Sequence, residues 1–253
     1  MVKRDDLPEV TVLDAKTLVG SRRKLSSGLV KRKAKESRKP SQAGVLTRTQ
    51  LLDAAERVFA DHGYEGASLR DIAEAAGLHY SLSTYHYGTK AKLFDEVVSR
   101  RAIELEALRL EGLKRINPTS LSASETVRLL IEAYASPIIQ ARYGKSKQWH
   151  AYVRLMAGLV NEPRWAPMIR KHHDHCAQVY LERWRELLPE VDNDSLLNAF
   201  SFMVVTTLYV CSNTNRFGRW KKKGLSRENE LKAIIDDFVH FVHAGFMSLA
   251  NRR

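Results

Sequence analysis

Residues 68–94 read SLRDIAEAAGLHYSLSTYHYGTKAKLF, and their punctuation decides the fold. Ser68 with Asp71 three residues on has the spacing of a helix N-cap, and it opens a short run that places Leu69, Ile72, Ala73 and Ala76 on one face. Gly77 then permits a tight turn. A further helix starts near His79, and Thr89 caps another whose Leu93, Phe94, Val97, Val98, Leu105 and Leu108 form a long apolar stripe toward Asn117-Pro118. The helix between these signals carries His79, three Tyr and several hydroxyls, with hardly enough apolar surface to hold itself in place. Two short helices across a Gly-containing turn form a helix-turn-helix, in which the second helix lies in the DNA major groove and its partner braces it on the backbone. A groove-reading helix must keep polar side chains unburied, because they hydrogen-bond to base edges and phosphates.

Outward from this stretch the pattern stays helical. Upstream, Thr47 with Gln50 has a capping-box spacing, and Leu51, Leu52, Ala55, Val58 and Phe59 recur on one face until His62-Gly63 ends the run. Downstream, Val127, Leu130, Ile131 and Tyr134 precede Pro137, and Trp149, Tyr152, Val153, Met156 and Leu159 precede Pro163. Met168, Ile169, His172, Cys176, Val179 and Tyr180 lead toward Pro189, and two further helices are expected over 194–215 and 227–250. No strand-like alternation or Asn-Gly hairpin interrupts them, so the expected fold is all-α. The uncharged stretch at 195–215 is long enough to raise the question of a membrane span. Its Asn198, Asn213 and Asn215 favour a helix buried in protein, and no membrane partner is expected.

The stretch LLDAAERVFADHGYEGASLRDIAEAAGL followed by YHYGTKAKLF resembles the tetracycline-repressor-like (TetR) family of transcriptional regulators, over about 45 consecutive residues in the family's order of elements. The resemblance implies an N-terminal three-helix DNA-binding domain, here 44–92, followed by a larger helical effector-binding and dimerisation domain, 93–253. It further implies a homodimer on double-stranded DNA, with a near-palindromic operator because each protomer presents the same helix to one half-site. Carried over by position, His79, Tyr80, Ser81 and Thr84 are candidates for base-edge contacts, and Tyr85 and His86 for phosphate. Lys90 and the cap Thr89 stand at a helix N-terminus that suits an anion, and Ser68 stands similarly on the helix before. Tyr87 fits the family's core aromatic. Ser83 stands where many relatives are apolar, and Leu82 is positioned to supply the missing anchor by a small rotation of the helix.

In the larger domain Trp149, Tyr152, Met156, Trp165 and Met168 offer big apolar surfaces, and His172 and Cys176 follow at helical spacing. Each fits ordinary core packing; together they are the candidate pocket for a small hydrophobic or aromatic effector. Release of a repressor by such a ligand is the first reading. Control by a protein partner in place of a small molecule would use the same DNA-reading residues, and a filled core would favour it. His172, His175 and Cys176 lack a second cluster to complete tetrahedral coordination, so no metal site is assigned. No nucleophile–base pair or phosphate loop stands out, so neither an enzyme nor a cofactor is expected.

The chain has 253 residues, 44% of them hydrophobic, enough to bury a core, and its formal net charge of +12 suits a polyanionic partner. Much of that charge sits in one segment: between Arg22 and Lys39 there are nine Lys or Arg and a single acid, Glu36. Residues 1–43 are therefore expected to be a disordered basic arm, for which a solubilising role and a phosphate-tracking role are equally open. The basic RFGRWKKKG at 216–224 reads as a solvated loop. Two cysteines, Cys176 and Cys211, in apolar-patterned stretches suggest buried thiols, and with no apolar leader near the start they point to the cytoplasm.

Overall fold

Helix α1 (Gln42–Gly66) starts earlier than the Thr47 signal suggests, because Ser41 is its cap and accepts a hydrogen bond from the Gly44 amide at 3.2 Å. Thr47 lies inside the helix and donates its hydroxyl back to the Ala43 carbonyl at 3.0 Å. Leu51, Leu52, Ala54, Ala55, Val58 and Phe59 form the buried face. At Gly63 the backbone turns to φ 70°, which breaks the regular helix at the expected place before one last turn runs on to Gly66. These observations come from a computed structural model that describes residues 41–212 and 226–251. Nearly all of the expected basic arm and the 216–224 loop lie outside the described residues.

Helix α2 (Leu69–Ala75) opens on a complete capping box, Ser68 accepting from the Asp71 amide at 3.1 Å and Asp71 accepting from the Ser68 amide at 3.0 Å. Gly77, at φ 67°, makes the turn into α3 (Tyr80–Tyr87). Gly88, at φ 73°, ends α3, and Thr89 caps α4 (Lys90–Lys114) by accepting from the Lys92 amide at 3.2 Å. Because α4 is unbroken, it crosses the boundary expected between 92 and 93. The same rod begins directly after α3 and runs on beside α5 and α7.

That array comprises α5 (Ala123–Tyr143), α6 (Lys147–Leu159), α7 (Ala166–Leu187), α8 (Asn193–Cys211) and α9 (Arg227–Ala250). Helix α5 packs on α4, α6, α7, α8 and α9, while α1 lies on α6 and α4 on α7. Among the described residues no strand occurs, as the pattern predicts. Two local expectations need correction. Pro137 does not end its helix: α5 runs through it to Tyr143, at the cost of the hydrogen bond that its missing N–H would have given Ala133. Leu108 is only partly buried, and the inward position beside it belongs to Arg109, 6% exposed. Gly112 one turn on lets α4 approach α5 closely, since a Cβ there would sit 3.1 Å from that of Ala133.

Phe59, Phe94 and Phe246 are fully buried, each contributing about 1.5–3 kcal/mol. Cys176 and Cys211 are free, buried thiols, and burial pushes them up to about 11 and about 12 respectively. Helices α8 and α9 are long and apolar enough to cross a membrane by length and composition. Their apolarity is divided between two faces. Leu196, Phe200, Met203, Leu208 and Cys211 of α8 lie in the core, as do Phe238, Val239, Val242 and Phe246 of α9. Leu197, Phe202, Val205, Tyr209 and Phe241 point outward, Phe202 and Phe241 being 70% and 71% exposed.

Candidate nucleic-acid interface

Helix α3 is built to present one face and anchor the other. Its inner side rests on Ser83 and Tyr87, both buried. Ser83 takes the core position itself, so no rotation toward Leu82 occurs: it is fully enclosed, and its hydroxyl is satisfied by donating to the Tyr80 carbonyl at 2.7 Å. Leu82 is partly buried. Tyr87 packs, as its position suggested, and donates its hydroxyl to the Arg48 carbonyl at 2.9 Å while the Arg48 guanidinium lies 4.9 Å over its ring. Burial raises the Tyr87 phenol well above the ordinary range. Arg48 is in turn held by Glu96 at 2.6 Å, so α1 and α4 grip α3 from both sides.

On the outer side Tyr80, Ser81, Thr84 and Tyr85 are exposed, Tyr85 at 82%. Exposed rings and hydroxyls on a rigidly anchored helix offer donors, acceptors and apolar edges to a groove. His79 has a second duty: it is the N-cap of α3, its Nδ1 accepting the Ser81 amide at 3.3 Å and lying 2.8 Å from the Ser81 hydroxyl. For Nδ1 to accept that amide the ring proton must sit on Nε2, which makes the outward nitrogen a donor suited to purine N7, guanine O6 or thymine O4. His86 is partly buried, and its ring meets that of Tyr85 edge-on at 5.1 Å. Beside it an open cleft of about 400 Å³ runs between α3 and α4, lined by His86, Tyr87, Ala91, Lys92, Asp95 and Glu96.

Lys90 is placed differently from the expectation of an outward phosphate contact. Its ammonium donates to the carbonyls of Tyr64 at 2.8 Å, Ala67 at 3.1 Å and Glu65 at 3.5 Å, and sits 4.4 Å over the Tyr64 ring. These carbonyls close α1, so Lys90 caps one helix from the first turn of another. Thr89 and Ser68 are likewise engaged as N-caps, Ser68 being partly buried and Thr89 exposed.

The expected effector group divides in two. Trp149, Tyr152, Met156 and Cys176 are buried in the core, Trp149 and Tyr152 meeting edge-on at 5.8 Å. Trp165 instead packs against Tyr64 and Phe94, with centroids at 4.9 Å to each, where α1 and α4 meet the start of α7. Met168 is partly buried nearby in sequence, and His172 lies 2.8 Å from Asp95, which Lys171 also holds at 2.7 Å. Burial raises the Asp95 carboxyl, but the hydrogen bonds from Lys171 and His172 outweigh it and draw the carboxyl below its ordinary range. His175 is engaged by Glu106. Among the described residues no group of three metal-ligating side chains converges.

The sequence also concealed Glu56. It is fully enclosed on α1 and pairs with Arg100 and, at 3.2 Å, with Arg101, whose guanidinium lies over Trp149. The available signal was an acid set in an apolar stripe, where only a partner of opposite charge makes burial tolerable.

Residues 51–97 match the family model described as bacterial regulatory proteins, tetR family, and residues 132–245 match the tetracyclin repressor-like C-terminal domain. The chain is 31% identical over 200 residues to the HTH-type transcriptional activator FasR of Mycolicibacterium smegmatis, covering 78% of this chain and 82% of that one. It is 31% identical over 105 residues to the HTH-type transcriptional repressor AcnR of Corynebacterium glutamicum, and that match spans 38% of this chain and little more than half, 56%, of the repressor. The fold is similar to that of FadR from Bacillus subtilis, solved in complex with stearoyl-CoA, with a TM-score of 0.52, 16% identity and coverage of 78% and 98% of the two chains.

Proposed function

Given that the chain belongs to the tetR family of bacterial transcriptional regulators, we propose that it is a cytoplasmic repressor that binds a near-palindromic operator as a homodimer and leaves it when a small apolar or aromatic effector binds within 93–253. The observation that carries the reading is the division of α3: Ser83 and Tyr87 are enclosed while Tyr80, Ser81, Thr84 and Tyr85 are held outward. In this reading Tyr80, Ser81, Thr84 and the Nε2 donor of His79 meet base edges. Ser68, Tyr85, His86 and Thr89 meet phosphate, and Lys90 acts as a brace behind them.

The exposed stripe of Phe202, Val205 and Tyr209 on α8, with Phe241 on α9, supports pairing of two protomers about a two-fold axis, since a solvated surface of that kind is costly for a monomer. The effector acts by preferring the dimer whose α3 helices no longer fit successive grooves, which requires unequal affinity for the two states. The stearoyl-CoA bound by FadR supports an apolar ligand for a chain of this fold. The repressor AcnR supports that sign of regulation, whereas FasR is an activator.

Selection of binding sites from a randomised duplex pool, followed by light scattering of the protein–DNA complex, tests the reading. A two-fold symmetric motif bound by two protomers is expected; a monomer, or equal affinity for random duplexes, overturns it.

A further inference from the structure

Arg109 is a buried cation without a carboxylate. It is 6% exposed, and among the described residues no Asp or Glu oxygen lies within 4.0 Å of it. The acids on its own neighbouring turns are engaged elsewhere, Glu106 with His175 and Glu111 with Lys114 and Arg115. What holds the guanidinium is a hydrogen bond from Nε to the Tyr134 carbonyl at 2.8 Å, the face of the Tyr134 ring at 3.7 Å and a hydrogen bond with the neutral Cys176 side chain. The other groups around it, Tyr152, His173, Cys176 and Tyr180, are neutral in their favoured forms. Burial pushes the phenols and the thiol up, and burial together with Arg109 itself pushes His173 down to about 4. An enclosed guanidinium is normally paired by an acid, because isolated burial of a charge costs several kcal/mol. The chain supplies no such partner among the described residues.

An apolar path leads away from this charge. The Tyr134 ring meets Tyr180 at 5.1 Å and Phe200 at 5.2 Å; Phe200 meets Trp184 at 5.5 Å, and Trp184 stacks on Phe246 at 5.1 Å. Trp184 is completely enclosed, yet its indole N–H has no hydrogen-bond partner. The array of α4, α5, α7, α8 and α9 therefore has a positive pole at one end, aromatic walls, and an unmet donor along them.

We propose that the effector is a monoanionic amphiphile, an apolar body ending in a carboxylate, whose acid pairs with Arg109 and whose body replaces aromatic contacts along Tyr134, Phe200 and Trp184. This rests on the ligand-released reading of the previous section and narrows its ligand chemistry. The bidentate fork of Arg suits a carboxylate, and the pair forms where water is excluded. A neutral analogue of the same shape gains the apolar contacts and leaves the guanidinium as it was.

The test uses the full chain and two matched probe pairs, dodecanoate against dodecanol and 4-phenylbutyrate against 4-phenylbutanol. Affinity is measured by calorimetry and by release of a fluorescent operator. At least one acid is expected to bind about 30-fold or more tightly than its alcohol and to release operator, as a buried charge-assisted pair provides. Arg109→Met should erase the preference, and Arg109→Lys should retain part of it. The comparison of acid with alcohol on the unaltered protein needs no variant, so misfolding of Arg109→Met does not protect the proposal. Equal binding of acid and alcohol, binding of neither pair, or an acid preference that survives in Arg109→Met overturns it. Failure of the parent reading looks different, since it appears as absence of a selected operator before any ligand is added.

Discussion

Replacing Lys90 by Met separates two roles that a lysine at the start of a helix can play. If the ammonium touches phosphate, the substitution removes one released counterion and lowers the slope of log affinity against log salt by about 0.9. The geometry predicts otherwise, because its N–H groups point at the carbonyls of Tyr64, Glu65 and Ala67. Two of those contacts, at 2.8 and 3.1 Å, are well formed. A hydrogen bond from a charged donor is worth about 1.5–3 kcal/mol, and the ordering of a long side chain offsets about 2 kcal/mol, so the net loss of the two on Lys90→Met is about 1–4 kcal/mol. For a chain of this size that lowers the melting temperature by roughly 2–16 °C.

The assay pairs a thermal melt with operator binding at several salt concentrations. Affinity should fall by a similar factor at every salt, because α3 loses part of its support, and the salt slope should stay as in the parent. A variant that melts with the parent but has a slope smaller by about one refutes the brace and restores the phosphate contact.

Three further outcomes follow from the same geometry. Glu56→Leu leaves Arg100 and Arg101 without their enclosed acceptor and should cost about 3–5 kcal/mol in chemical denaturation; a loss below about 1 kcal/mol would show that the two guanidinium groups find other partners. Phe202→Glu combined with Phe241→Glu places charge on the exposed apolar faces of α8 and α9 and should give a folded monomer by light scattering with operator affinity lost, whereas a persistent dimer moves the interface elsewhere. His173 is held neutral, its imidazole lowered to about 4 from 6.5 by burial and then by Arg109 and His172. Its unfolded form binds a proton first, so the stability it contributes is full above about pH 6.5 and is lost as pH falls toward 4, about 1 kcal/mol between pH 7.5 and 5.5. His173→Phe should flatten that part of the urea-midpoint profile; an unchanged profile assigns the pH dependence to other groups.

What could be read in advance was local. The capping box at Ser68 and Asp71, the turn at Gly77 and the cap at Thr89 each depend on residues within three positions of one another, and all three stand in the structure. The tertiary partners were not legible. Nothing near Lys90 announces carbonyls 23 to 26 residues earlier, and nothing in Trp165 announces Tyr64 and Phe94 rather than Trp149. Pro137 misled because its rule concerns isolated helices, whereas packing of α5 on five neighbours outweighs one lost hydrogen bond. Arg109 was hidden for the opposite reason: the apolar stripe passed beside it at Leu108, and only the packed array shows which of the two turns inward.

The regrouping of Trp165 has a mechanical consequence. Around it, Arg154 pairs with Asp61, Arg164 with Glu65 at 2.5 Å, and Lys171 and His172 with Asp95, so α6 and the start of α7 are tied to the end of α1 and the first turns of α4. Exposed ion pairs are individually weak, about 0–1 kcal/mol each, but the aromatic contact among Tyr64, Phe94 and Trp165 lies between them and resists sliding. The carbonyls that Lys90 caps belong to this same end of α1. In the proposed ligand-released mechanism, a displacement of α7 would bear on Tyr64 and Glu65, then on Lys90, and so on the Gly88 turn before α4. Rings in contact at that junction would pass such a shift on, since close-packed interiors transmit strain.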